Sequence, residues 1–326
     1  MEITEKKKFY PLVSIIIPVY NGSNFLSEAI DCALGQTYKN IEVIVVNDGS
    51  CDEGKTEVIA KKYGDKIRYY KKENGGVSTA LNLGISCMQG EYFSWLSHDD
   101  KYTSDKIERQ IALLSALPET ERNAVCLCES LQIDKNSEVF QKQVIKKVFS
   151  TSGEYEWTDV LMSLLKNGTF NGCALLIPKS AFDICGGFDE SLRYNQDSLM
   201  WIKICLARFR FLYSDQVGAF IRIHQAQLTQ TGRKLFHVDC EKMSKELLPS
   251  FFSISTKENN YLYAYAKYNA KYNNPRIVKQ CIAEAEKKKL FSIKQLFRLK
   301  IVCWYGKIRP AIRKLYYRIC KKVKTE

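Results

Sequence analysis

Histidine is scarce in this chain: three in 326 residues, His98, His224 and His237, none of them near paired cysteines. The 12 cysteines contain no CxxC pair, which leaves no ligand set for a structural zinc. In a reducing compartment such cysteines are expected to act as small apolar core residues. Long hydrophobic runs are also lacking. The run behind the N-terminal lysines, Leu12 to Ile17, is cut by Pro18 and is too short for a secretory h-region or a membrane span. The expectation is a cytoplasmic protein. Neither a P-loop nor a GxGxxG occurs, so a phosphate group would have to be held in another way. Internal repeats and low-complexity segments are absent as well.

What is present fits a folded chain, with 45% hydrophobic and 26% charged residues. The length allows a catalytic domain and a smaller appendage. Charge is unevenly placed. Residues 287–326 hold 14 of the 49 Lys and Arg and one of the 36 acids, so the rest of the chain is balanced and the net charge of +13 sits in this tail.

The apolar pattern predicts a strand over Ser14–Tyr20, a helix over Phe25–Leu34 capped by Ser23 or Asn24, and a strand over Ile41–Val46 closing on Asn47, Asp48 and Gly49. A helix over Asp52–Tyr63 follows, then an edge-like strand over Lys66–Lys71. The turn Asn74-Gly75-Gly76 opens a helix over Val77–Met88 with Val77, Leu81 and Ile85 on one face. A fourth strand, Tyr92–Leu96, ends at His98-Asp99-Asp100. This alternation predicts an α/β fold with a parallel sheet covered by helices, in which ligands bind beyond the carboxyl ends of the strands. Asp48 and the Asp99-Asp100 pair both fall at such ends.

Beyond residue 123 the rhythm loosens. Strands are expected over Ala124–Gln132 and Gly172–Ile177, helices near Trp157–Leu165 and over Asp197–Ala207, and two short strands around Ser214-Asp215 within Phe209–His224. After Thr231 the chain reads as helical to its end, interrupted at Pro275 and Pro310.

Adjacent carboxylates repel unless something offsets them. A divalent cation such as Mg²⁺ or Mn²⁺ does so and can bridge carboxylate to phosphate; the other reading of Asp99-Asp100 is a solvated acidic turn or helix cap. Asp197, in YNQDSLMW, is either a general base or an acid favoured at a helix start. His224, in IRIHQAQLTQTG, could complete a metal shell or contact a diphosphate, or could do neither.

The motifs PLVSIIIPVYNGSNFLSEAIDCALGQTYKNIEVIVVNDGS, ENGGVSTALNLGI, WLSHDD, GGFDESLRYNQDSLMW and IRIHQAQLTQTG occur in that order. Together they resemble the family 2 glycosyltransferases, inverting enzymes of the GT-A fold that build bacterial capsule, lipopolysaccharide and related glycans. The resemblance covers Pro11 to Gly232. It implies a mixed, mainly parallel sheet flanked by helices, with a helical C-terminal extension. The catalytic domain would span 1–232, with a nucleotide-sugar half at about 11–123 and an acceptor half at about 124–232. The extension would span 233–326, with a basic amphipathic tail over 287–326.

By the same resemblance Pro18, Tyr20 and Asn21 flank the nucleotide base, Asp48 recognises uracil, and Asn74 and Gly75 join the donor site. Asp99 lies near the ribose, Asp100 holds the metal that grips the diphosphate, His224 lies near both, and Asp197 is the catalytic base. The implied cofactor is Mn²⁺ or Mg²⁺. The implied reaction moves a hexosyl or N-acetylhexosaminyl group from a UDP-type sugar to a saccharide acceptor on a lipid carrier. Three positions depart from the family pattern: Leu81 for a frequent Arg, Ser97 for the first Asp of LDxDD, and Gln196 for the Glu before Asp197.

In the tail, Leu290, Ile293, Phe297, Ile301, Trp304, Ile308, Ile312, Leu315 and Ile319 recur at steps of three or four among lysines and arginines. That pattern suits peripheral contact with an anionic membrane; helices packed on the catalytic domain are the plainer alternative. A nucleotide-binding scaffold that has lost transfer, or a basic nucleic-acid-binding protein, would be competing functions. No nucleic-acid module accompanies the charge, so no nucleic-acid partner is expected.

Overall fold

The structure, a computed structural model, describes residues 9–142, 149–224 and 233–301. Contacts divide the chain into two compact units, Met1–Thr231 and Gly232–Glu326.

In the first unit, strand formation starts from β-branched runs that are buried on both faces. β1 (Val13–Val19) is buried at every position, and β2 (Ile41–Asp48) is buried from Val43 onward. Full burial of one such aliphatic side chain contributes roughly 1.5–3 kcal/mol, enough to favour a central place in the sheet. β3 (Arg68–Lys72) and β4 (Tyr92–Trp95) complete a parallel set in the order β3-β2-β1-β4, with Ile16 level with Ile44 on one side and Trp95 on the other. The crossovers are α1 (Leu26–Leu34), α2 (Lys55–Lys61) and α3 (Val77–Cys87).

The sheet continues through β5 (Lys101–Tyr102), β6 (Val125–Ile133), β7 (Val139–Lys142), β8 (Gly153–Tyr155), β9 (Leu175–Pro178) and β10 (Phe211–Arg222). β9 runs antiparallel between β4 and β6, whereas β6 and β10 pair in parallel along most of their length. The antiparallel ladders are only two or three residue pairs long, so most pairing is parallel. Four helices flank this half: α4 (Lys106–Ser115), α5 (Trp157–Asn167), α6 (Ser180–Cys185) and α7 (Gln196–Leu206).

Several local expectations are corrected. Neither Ser23 nor Asn24 caps α1: its N-cap is Phe25, without a side-chain cap bond, and the N–H groups of Phe25 and Leu26 both donate to Gly22 O. α3 buries Ser78, Ala80, Leu81 and Gly84, leaving Val77 and Ile85 only partly buried, because small residues let the helix lie close on the sheet. Residues 172–174 form a 3₁₀ turn before β9. β10 is one strand, not two; the polar Ser214–Gln216 stretch is a bulge within its ladder to β6. Ten cysteines are described and all are free; Cys51 is exposed, whereas Cys126, Cys128, Cys173, Cys205, Cys240 and Cys281 are buried.

The second unit contains α8 (Arg233–Ile254), α9 (Tyr261–Lys271) and α10 (Pro275–Lys288), followed by a helical stretch over 293–301. Its core includes Met243, Phe251, Tyr265, Ile277 and Cys281, with the Phe251 and Tyr265 rings stacked 3.9 Å apart. Pro275 begins α10 instead of interrupting a helix, a position where the missing N–H costs nothing. Pro310 lies outside the described residues. Among the described residues, no helix is long and apolar enough to cross a membrane.

Candidate active site

β4 ends in a tight turn in which Asp100 N donates to Ser97 O at 3.0 Å. The turn aims Asp100 inward, where it is 4% exposed. Asp100 Oδ1 accepts from the main-chain N–H of Arg222 at 2.8 Å, and Oδ2 accepts from the Cys173 thiol at 3.1 Å. Burial, and then the charge of Asp99, push the Asp100 carboxyl up to about 8. Asp99 turns the other way: its Oδ2 lies 3.0 Å from His224 Nε2, a hydrogen bond for the tautomer protonated there. The His224 ring also packs on Phe25, with centroids 5.6 Å apart.

Arg222 was not singled out in the sequence, yet it organises this corner. It is 1% exposed, and its guanidinium reaches three separate segments. Nε donates to Asp99 O at 2.8 Å; Nη1 donates to Asp134 O, Lys135 O and Ser137 Oγ, each at 3.1 Å; Nη2 pairs with Glu28 at 2.6 Å. Its charge also sits 4.3 Å from the centre of the Phe25 ring. A buried arginine is tolerated only when its donors are met, and the planar fork meets them here from several directions at once. The available signal was an arginine inside the otherwise apolar stretch before His224.

The residues expected around the base occupy the neighbouring strand ends. Pro18 lies within β1, opposite Val46, and is buried; it is not in the loop beyond. Proline is accommodated there because the β1–β4 ladder ends at Ile16, whose carbonyl accepts from Leu96 N, so no partner strand requires the missing N–H two residues later. Tyr20 is exposed. Asn21, at φ 50°, staples the β1 loop to the β2 loop: its N–H donates to Ser50 Oγ at 2.9 Å, and its Oδ1 accepts from Cys51 N at 2.8 Å. Gly22 is pressed against His98, so an added Cβ would overlap that ring.

Asp48 is 3% exposed at the end of β2. It accepts from Lys72 Nζ at 2.8 Å, from Gly75 N at 3.0 Å and from Gly76 N at 2.7 Å, while Asn74 Nδ2 donates to its main-chain oxygen at 2.9 Å. Asp48, Asn74 and Gly75 therefore form one knot, and the carboxylate's first task is to hold the Asn74–Gly76 turn.

Asp197 sits in the first turn of α7 and is partly buried. Its Oδ1 accepts from Ser198 N at 2.7 Å and its Oδ2 from Thr169 Oγ1 at 3.3 Å; burial raises its pKa. Beside it Gln196 is buried, with no partner for its Oε1. Thr169 touches Asp197 and Cys173 touches Asp100, and four residues of chain separate their Cα atoms by at most about 14 Å.

The structure thus brings Asp99 into direct contact with His224, sets Asp100 next to Asp99 on the same turn, and ties Asp197 to that turn through residues 169–173. The Asp48 knot joins the same rim through Asn21, Gly22 and His98. Among the described residues, no group of three or more His, Cys, Asp or Glu side chains is arranged to hold a metal ion unaided. The donor set still suits a divalent cation. Asp100 is a buried oxygen donor beside a second carboxylate, Asp99; both effects disfavour its charged form, and a divalent cation would favour that form again. Phosphate oxygens of a ligand and water would have to complete the shell.

A mixed, mainly parallel sheet flanked by helices, with carboxylates beyond its strand ends, is the GT-A fold. The profile of glycosyl transferase family 2 matches residues 14–155. An uncharacterized glycosyltransferase of Rickettsia typhi is 48% identical over 229 residues, covering 70% of this chain and 69% of that protein. Another, from Rickettsia bellii, is 41% identical over 291 residues, 85% of this chain and 41% of that protein, so the chain spans less than half of that relative. Among solved structures, S. aureus TarS 1-349 in complex with UDP-GlcNAc matches with a TM-score of 0.62 at 16% identity, covering 91% of each chain. The chain belongs to glycosyl transferase family 2.

Proposed function

We propose that this chain transfers a hexosyl or N-acetylhexosaminyl group from a UDP-type sugar to a saccharide hydroxyl, with inversion. The acceptor would be lipid-linked and met at an anionic membrane surface, in the synthesis of a cell-surface glycan. The observation that supports the reading is the short path from Asp100 through Cys173 and Thr169 to Asp197, which links the carboxylate pair to the residue proposed as base. The UDP-GlcNAc complex of TarS supports the donor class.

Asp100 and His224, with phosphate oxygens of the donor and water, would hold a Mn²⁺ or Mg²⁺ ion that when bound offsets charge on the donor diphosphate, and Asp99 would lie near the ribose. The Asn21–Cys51 staple and the Asp48 knot shape the rim on which the nucleoside rests. Asp197 takes the proton from the acceptor hydroxyl as its oxygen bonds to the anomeric carbon. The bond from that carbon to the phosphate oxygen breaks, its electron pair leaves with the nucleoside diphosphate, and the anomeric centre inverts. The raised pKa of Asp197 makes it a stronger base than an ordinary carboxylate.

A thermal-shift screen of nucleotide sugars with Mn²⁺ tests the reading. A ligand at 100 times its Kd adds about 2.7 kcal/mol of stability, so a UDP-sugar should raise the Tm clearly. Absence of any shift across the panel would remove the proposal.

A further inference from the structure

We propose that the helix over 293–301 lies on an anionic lipid bilayer and inserts Ile293, Phe297 and Ile301 into its interfacial layer. These side chains are 86%, 64% and 47% exposed. At 3.6 residues per turn the three fall within an arc of about 80°, forming one stripe. Leu299, fully buried, lies on the opposite face and anchors the helix to the second unit. Single exposed apolar residues are ordinary on a protein surface, but three aligned on the side facing away from a helix's own core call for an apolar phase.

Charge selects which phase. Lys294 and Arg298 flank the stripe on one side and Lys300 on the other, all exposed, and no acid occurs between Lys287 and Thr325. A second copy of the chain would bring the same positive charge against itself. A nucleic acid would satisfy the bases and leave the aliphatic and aromatic side chains in water. An anionic bilayer meets both needs, with phosphates for the basic flanks and acyl chains for the stripe. No described helix is built to span, so the contact is surface insertion. The inference rests on the membrane contact in the proposed function and adds its face and its mode; it is independent of the sugar chemistry.

The test is sedimentation of the full chain with vesicles of phosphatidylcholine containing phosphatidylglycerol, and with phosphatidylcholine alone. Wild type should bind the anionic vesicles. The variant Ile293→Ser/Phe297→Ser/Ile301→Ser should bind them about tenfold or more weakly at low salt, because its apolar anchor is gone while every basic residue remains. The variant Lys294→Gln/Arg298→Gln/Lys300→Gln should lose its preference for anionic over neutral vesicles. Equal binding by the serine variant and wild type overturns the proposal, as does a wild-type dimer that the serine variant converts to monomer. Thermal shift with UDP and Mn²⁺ on the same proteins separates the two accounts: an unchanged shift beside lost vesicle binding confirms the lipid face, and a missing shift in wild type indicts only the donor reading.

Discussion

The main-chain N–H of Arg222 donates to Asp100 at 2.8 Å while the guanidinium of the same residue donates to the main-chain oxygen of Asp99, also at 2.8 Å. One residue at the end of β10 therefore holds the Asp100 carboxylate and the Asp99 backbone at the end of β4. Replacing Arg222 with Met would leave those carbonyls, the 134–137 turn and Glu28 without their partner. The expected loss is about 3 kcal/mol of stability, at the lower end for a broken buried pair because Glu28 is partly exposed. Urea denaturation would measure it. Arg222→Lys keeps the charge but not the fork, so it should stay folded and bind UDP with Mn²⁺ more weakly than wild type.

The Asp100 carboxyl, pushed up to about 8 by burial and by Asp99, gives a pH prediction for the metal-free protein. Between the unfolded carboxylate value and about 8 the folded state holds more protons than the unfolded state, so this group's contribution to stability falls as pH rises through that window. Asp100→Asn removes the contribution. Urea midpoints should make the variant more stable than wild type at pH 8 and similar near pH 4; a wild-type advantage at pH 8 would go against the burial argument.

Asp197→Asn should bind UDP like wild type and lose about 10²- to 10⁴-fold in transfer rate. The acid limb of the wild-type rate should lie above the ordinary aspartate range, since burial raises this pKa and the base works only when deprotonated. A pH–rate profile of both proteins reads this directly.

Asp48→Ala removes the charge partner of Lys72, which keeps the Glu73 carbonyl and Thr79 Oγ1, and strands the N–H groups of Gly75 and Gly76. A cost of roughly 2–3 kcal/mol is expected from the unpaired donors, discounted because Lys72 is partly exposed. Hydrogen exchange should rise first in the peptide covering Asn74–Thr79.

The parallel half was legible because β1, β2 and β4 are mostly apolar runs ending in polar residues, and strand ends are where a parallel sheet gathers ligand groups. Asp99-Asp100 could be placed on that ground alone. Arg222 could not, since its partners come from α1, the β4 turn and the 134–137 turn, which sequence spacing does not bring together. β5, β7 and β8 are too short to show a two-residue period. Ser214–Gln216 reads as a break because polar residues mimic a turn, although pairing with β6 carries β10 through it. The Ser23 or Asn24 cap failed because the chain turns on Gly22, which is held against His98.

Calorimetric titration of UDP into wild type and Asp100→Asn, each with and without Mn²⁺, tests the central claim most directly. Tight binding by wild type only when Mn²⁺ is present, with that dependence lost in the variant, is the predicted result. Equal affinity in all four titrations would contradict the assignment of the Asp99-Asp100 turn as the seat of the donor's diphosphate.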